Sequence, residues 1–237
     1  MNVAQTAASA KRTAGAILKY RICYQKNDAL IFISHLDLQT TFQRAFRRAQ
    51  IDLAFSEGFN PHPKMTYSPP LPLFVSSAQE YIDVELQTQL TDQEIFDRLN
   101  AKLPSSLVLN SAKALRGDEA ALPELIVWGE YAIELHQSNL PENICQIVED
   151  FYCLSSQIVI KKRNKKKQFV DKDIKPLMRY LKCKKIENGI CVTCSLSLVN
   201  DTLLNPTYVT KFLTEQIESL KSAVVSSIRK TKVSGNI

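Results

Sequence analysis

The sequence predicts an α+β fold in which antiparallel sheets carry helices on one face, and three observations predict it. Runs of alternating apolar residues, such as Ile82, Val84 and Leu86 within Tyr81-Ile82-Asp83-Val84-Glu85-Leu86, have the period of two of a half-buried strand. Two capping signatures, Ser34-His35-Leu36-Asp37 and Thr91-Asp92-Gln93-Glu94, each open a stretch of helical period. The elements then follow one another as strand, helix, strand, strand, helix, strand over about 100 residues, the split βαβ arrangement called ferredoxin-like. The second half repeats enough of this to predict two such units in tandem.

Taken in order, Lys19-Tyr20-Arg21-Ile22-Cys23-Tyr24-Gln25 has strand character, and Asn27-Asp28 marks a turn. The Ser34 oxygen caps an early amide of the next helix, and Asp37 sits at the positive end of its dipole. Leu38, Phe42, Ala45 and Ala49 supply the buried stripe of that helix, while Thr40, Arg44, Arg47 and Arg48 recur on another face. A stiff loop follows, Ser56-Glu57-Gly58-Phe59-Asn60-Pro61-His62-Pro63-Lys64. Proline fixes φ at about −65° and pushes its predecessor towards extended geometry, so Asn60 and His62 are restrained before any tertiary contact forms. After the strand at 81–86, Ile95, Leu99 and Leu103 form the inner face of a helix that Pro104 ends, and Leu107-Val108-Leu109 begins another strand.

In the second unit Tyr131-Ala132-Ile133-Glu134-Leu135 reads as a strand, and Pro141 opens a helix carrying Ile144, Val148, Phe151 and Leu154. Residues 157–162, 167–171 and 182–198 are strand material, 207–220 a helix, and 223–228 a closing strand. The segment 174–181 is extra to the simple pattern. The predicted organisation is a disordered tail over 1–17, a first unit over 18–122 and a second, more elaborated unit over 123–237 with a basic hairpin.

Net charge is +6, and the surplus lies in residues 121–237, which carry 17 basic and 12 acidic side chains against 13 and 12 in residues 1–120. Such a surplus favours a polyanionic partner only where its distribution concentrates it. No apolar run approaches the ~18 residues of a membrane span and no secretory signal opens the chain, so the expectation is a cytoplasmic protein that does not enter a membrane. Of the cysteines only Cys191 and Cys194 have CxxC spacing, and they lie in an alternating run that points them to opposite faces, which argues against zinc. A two-residue hairpin at Asn188-Gly189 would set Cys183 opposite Cys194. There is no Cx3CxxC triplet to cradle an iron–sulfur cluster.

Arg44, Arg47 and Arg48 form a compact cation patch whose planar forks suit phosphate, and Lys64 follows closely in sequence. The plain alternative is a solvated helix face. Lys161-Lys162-Arg163-Asn164-Lys165-Lys166-Lys167 packs six cations into seven residues between two strands, a pattern that favours nucleic-acid contact over an idle hairpin tip. His35, His62 and His136 are the only imidazoles. His35 and His62 could converge as an acid–base pair; otherwise His35 packs at the cap and His62 is a binding or structural residue. No nucleophile has a recognisable flanking signature, and no ligand set spaced for a metal is present.

Together, Ile33-Ser34-His35-Leu36-Asp37-Leu38, Phe42-Gln43-Arg44-Ala45-Phe46-Arg47-Arg48-Ala49, the loop from Phe55 to Lys64 and Pro70-Leu71-Pro72-Leu73 resemble the bacterial radical SAM-linked domain family of unknown function. Members are fused to, or encoded beside, a radical SAM protein with a cobalamin-binding-type domain, often near ribonuclease G and ribosomal-protein genes. The likeness is strong in the first half and looser at 170–176 and at Ile228-Arg229. Members commonly show an arginine before the SHLD block and Gly-Leu-Pro after the double arginine, where this chain has Leu30-Ile31 and Gln50-Ile51-Asp52-Leu53. The resemblance implies an accessory protein whose radical SAM partner carries the iron–sulfur cluster and S-adenosylmethionine, with no cofactor and no transferable catalytic residue in this chain. The expectation is recognition of RNA, tRNA or rRNA, or docking of a substrate, through Arg44, Arg47, Arg48, Asn60, His62 and Lys64. Lys161, Lys162, Arg163, Lys165, Lys166 and Lys167 would extend that surface. An RNA-processing or RNA-modifying enzyme of tandem ferredoxin-like architecture and a protein-binding scaffold remain the alternatives.

Overall fold

The structure, a computed structural model, describes residues 18–116, 119–163 and 167–235, with the side chain of Asp28 left out. The expected tail over 1–17, and Lys165 and Lys166, lie outside the described residues. In the first half, β1 (Leu18–Lys26), α1 (His35–Arg48), β2 (Met65–Tyr67), β3 (Ser76–Leu86), α2 (Asp92–Asn100) and β4 (Leu107–Ala114) succeed one another. Both capping boxes form: Ser34 Oγ accepts from the Asp37 amide, Thr91 Oγ1 from that of Glu94, and each acid reaches back to the cap amide. A four-residue helix, α3 (Leu122–Leu125), leads into the second half. There β5 (Ile126–His136), α4 (Ile144–Leu154), β6 (Val159–Arg163), β7 (Phe169–Asp173), β8 (Met178–Ile186), β9 (Gly189–Ser197), α5 (Thr207–Gln216) and β10 (Val224–Gly235) follow.

Eight strands form one large, mostly antiparallel sheet in the order β4-β1-β3-β10-β5-β9-β8, with β2 paired to β3. The expectation of separate sheets is corrected here. β10 runs parallel to β3 through Arg229 opposite Ser76 and Lys230 opposite Ser77, and this short pairing joins the halves. It is possible because β2 is only three residues long: Pro69 and Pro70, which cannot donate to a ladder, follow it and leave the start of β3 free for β10. First-half strands stand in the order β4-β1-β3-β2 and second-half strands in the order β10-β5-β9-β8, so the same succession of positions recurs.

Two apolar cores lie on the helix-covered face. Tyr20, Ile22, Ile82 and Val84 pack against Phe42, Phe46, Ile95 and Leu99 in the first half. Tyr131, Ile133, Val192 and Leu196 pack against Ile144, Val148, Phe212 and Leu213 in the second. Burying a side chain such as Phe42 or Phe46 stabilises the fold by about 1.5–3 kcal/mol each.

Three local expectations are corrected. β6 and β7 leave the main sheet and form a separate two-stranded ribbon, whereas 174–181 is not an insertion but a short 3-10 turn, Lys175–Leu177, running into the start of β8. The β8–β9 turn is Glu187-Asn188, because Gly189 already pairs with Ile186 and with His136. A Cβ at Gly189 would stand 1.9 Å from the Leu135 carbonyl oxygen, so the glycine serves a close backbone approach inside the strand. Cys183 therefore opposes Val192, and its Sγ lies 2.8 Å from that of Cys145 on α4. Among the described residues no helix is long and apolar enough to cross a membrane.

Candidate functional site

The stiff loop is closed by three contacts at its base: Phe55 bridges to Pro63, the Ser56 amide donates to the His62 carbonyl at 2.8 Å, and the His62 amide donates to Ser56 Oγ at 2.9 Å. Gly58 takes φ +113°, a conformation L side chains rarely adopt. The tip from Glu57 to Pro61 is exposed, with Asn60 among it and the Phe59 ring wholly in solvent.

Beyond its base the loop straddles the edge of β3. Met65 pairs with Val84 and Tyr67 with Ile82, so these side chains join the helix-covered core. Lys64 precedes them and falls on the other face, where its Nζ meets Glu85 at 2.9 Å and Lys19 meets the same carboxylate at 3.7 Å. His62 and Lys64 line a depression of about 480 Å³ there with Lys19, Asp83 and Glu85. Arg21 holds Asp83 in a two-pronged pair at 2.8 Å, and this contact raises the pKa of the guanidinium.

α1 lies on the helix-covered side. Arg44, Arg47 and Arg48 are exposed on it. Arg48 donates to the Lys102 carbonyl at 2.7 Å, and Arg98 donates to the carbonyls of Ala49 and Gln50, so these two cations satisfy orphan carbonyls at the C-terminal ends of α2 and α1. Arg47 alone of the three reaches the loop: it shares a groove of about 340 Å³ with Phe55 and Pro63. The arginine patch and the His62–Lys64 pair are thus joined at Pro63 but face different sides of the sheet.

His35 and His62 are not brought together. The His35 ring packs edge-on to Tyr67 at 5.1 Å, and Gln39 lies 3.1 Å from its Nε2. Burial pushes its pKa down, with Glu80 opposing and Lys26 adding to the effect. His35, Gln39, Tyr67, Ser68 and Pro70 line a crevice of about 320 Å³ whose far wall is Pro123 and Asn200 of the second half. Beneath it lies a charged cluster that the sequence reading missed. Glu80 of β3 pairs with Lys230 of β10, accepts from Ser68 Oγ at 2.7 Å, and is buried with both Lys230 and Lys26. Burial lowers the Lys26 pKa, and the Glu80 carboxylate opposes this. The signal was present: Lys26, Glu80 and Lys230 continue the inward-facing positions of Tyr24, Ile82 and Ile228 along their strands.

In the ribbon, Lys161, Arg163 and Lys167 are exposed and Lys162 is half-buried. Arg163 Nε donates to the Lys167 carbonyl at 3.0 Å, and its guanidinium lies 5.9 Å from the exposed Phe169 ring. The ribbon is anchored through Ile160 in the core and by α5, where Gln216 donates to the Val159 carbonyl at 2.8 Å. Among the described residues no group of three His, Cys, Asp or Glu side chains gathers as a metal site.

The sequence pattern of a family described as an uncharacterized protein conserved in bacteria (DUF2344) matches residues 19–206. No curated protein matches the chain. Among solved structures it is similar to a chain of a Cbf5-Nop10-Gar1 complex, with a TM-score of 0.49 and 12% identity over 90% of this chain and 48% of that one. It is also similar to a chain of the archaeal box H/ACA sRNP Nop10-Cbf5 complex, with a TM-score of 0.47 and 13% identity over 91% of this chain and 48% of that one. The chain therefore spans about half the length of either.

Proposed function

We propose, from the premise that the chain belongs to the conserved bacterial family DUF2344, that it is a non-catalytic accessory protein recognising RNA for a radical SAM partner. The partner is what the sequence resemblance implies; the RNA reading is carried by one observation. Two groups of exposed cations stand on supports held by the fold, Arg44 and Arg47 on the α1 face and Lys161, Arg163 and Lys167 on the ribbon. Among the described residues none of these five forms an ion pair with a carboxylate. Surface cations without a carboxylate partner favour a polyanion, whose binding releases counterions. Lys64 has a lesser part in this reading because Glu85 already faces its charge. The scaffold is read as two ferredoxin-like units, a reading supported by the recurring strand order in the two halves.

Affinity capture of the tagged chain from its native cells, with and without ribonuclease, tests the reading. A radical SAM protein retained in both samples, together with RNA fragments in the untreated one, is the expected result. Capture of neither RNA nor a radical SAM protein overturns it.

A further inference from the structure

The face of β10, β5, β9 and β8 that points away from the helices carries a surface no part of the sequence reading identified. Tyr131, Ile133 and Leu135 of β5 enter the core, so Trp128, Glu130 and Glu134 lie on the other face. The unbroken β5–β9 register sets them opposite Ser197, Ser195 and Cys191 of β9. On the far side of β9, Tyr180 pairs with Ser195 and Lys182 with Thr193; on the far side of β5, Arg229 pairs with Ala132 and Lys232 with Glu130. The β9 residues on this face are small, and Ser195, Ser197 and Cys191 are buried beneath the longer side chains that reach over them from β5 and β8. α4 and α5 pack on the opposite face.

Five exposed cations, Arg179, Lys182, Lys184, Arg229 and Lys232, surround the half-buried carboxylates of Glu130 and Glu134, and among the described residues none of the five forms an ion pair. The Arg179 guanidinium lies 4.2 Å from the centre of the Trp128 ring. Tyr180 of β8 and Glu130 of β5 flank Ser195 of β9 on this face, and the Tyr180 side chain extends across β9 towards the Glu130 carboxylate.

We propose that this open face is a platform for single-stranded RNA, a proposal that rests on the RNA reading above and locates part of its surface. The excess positive charge matches a phosphate backbone. Aromatic rings and a guanidinium plane rising from a four-stranded antiparallel sheet are the groups on which unpaired bases stack. A duplex hides its base faces and fits the charge alone. An acidic protein segment would satisfy the cations but leave the rings unused.

Trp128 is the only tryptophan in the chain and reports directly. The full chain is titrated with a labelled single-stranded RNA of about 12 nucleotides, within the range of site sizes on such platforms, and with its duplex. Label anisotropy and Trp128 emission are read together. The single strand is expected to quench Trp128 saturably, with the same midpoint in both signals, and the duplex to quench it less. Joint Lys182→Gln and Arg229→Gln substitution should lower the log–log salt slope by about 1.4. Tyr180→Leu should weaken binding by about fivefold or more with the slope unchanged. RNA binding seen by anisotropy with Trp128 emission unmoved and the variants binding like the parent would overturn the platform while sparing the RNA reading. Absence of binding in both signals would overturn both. Polyglutamate of equal charge that quenched and competed as well as RNA would also overturn the platform, assigning the face to acidic protein.

Discussion

Glu80 is the residue on which the joint between the halves turns. Its carboxylate comes from β3, its partner Lys230 from β10, and both are buried beside Lys26. Replacing it leaves two ammonium groups without a counter-charge in the interior, so Glu80→Gln should lose about 3–5 kcal/mol of stability in urea denaturation. An unchanged midpoint would mean that water or another group already neutralises the lysines. His35 makes a pH-dependent contribution. Its folded pKa lies below the unfolded value of 6.5, so between the two the unfolded state binds a proton that the folded state does not. Its contribution is therefore complete above pH 6.5 and falls away as pH drops towards the folded value. The difference in urea midpoint between pH 7.5 and 5.5 should accordingly be smaller in His35→Gln than in the parent. His35 was legible as a cap residue from the Ser34–Asp37 spacing, but its contact with Tyr67 was not, because that contact depends on where β2 lies. The charged cluster was missed for a different reason: lysine and glutamate read as surface even where alternation directs them inward, since only tertiary pairing makes their burial tolerable.

At the scale of the element, α1 shows how a local rule can be broken at modest cost. Its C-terminus closes with the Ile51 amide donating to the Phe46 carbonyl and the Gln50 amide to that of Arg47, the paired bonds of a Schellman motif. Gln50 takes φ +55° there, where glycine is favoured. Gln50→Gly should raise stability by about 0.5–1 kcal/mol, read as a higher urea midpoint with unchanged slope. A loss would show that the Gln50 side chain makes a contact worth more than the strain. The helices themselves were legible, because caps and apolar stripes are local. The β8–β9 register was not: Asn188-Gly189 has turn chemistry, but the approach of the Leu135 carbonyl, a long-range contact, claims the glycine for the strand. The ribbon was seen as two strands, but nothing within 157–171 tells whether they join the main sheet.

For the whole molecule, the sequence conveyed the succession of elements in each half but not their fusion into one sheet, since the β3–β10 pairing involves two residue pairs with no local signature. That fusion leaves one face of the sheet to helices and the other to solvent in the second half, so the cations divide between α1, the ribbon and the open face. The expected single surface of arginines and stiff loop is instead a groove at Pro63 with cations on either side of the sheet edge. The same dispersal makes an extended polyanion the partner that engages most of the charge at once. The most direct measurement is the affinity of the full chain for labelled tRNA and rRNA fragments across a salt series. Compared with it is a variant in which Lys161, Lys162 and Lys167 of the ribbon are glutamine. The account predicts a steep fall of affinity with salt in the parent and a log–log slope smaller by about 2 in the variant, with an unchanged melting temperature. Binding that ignores salt, or a variant that follows the parent's slope, would contradict it.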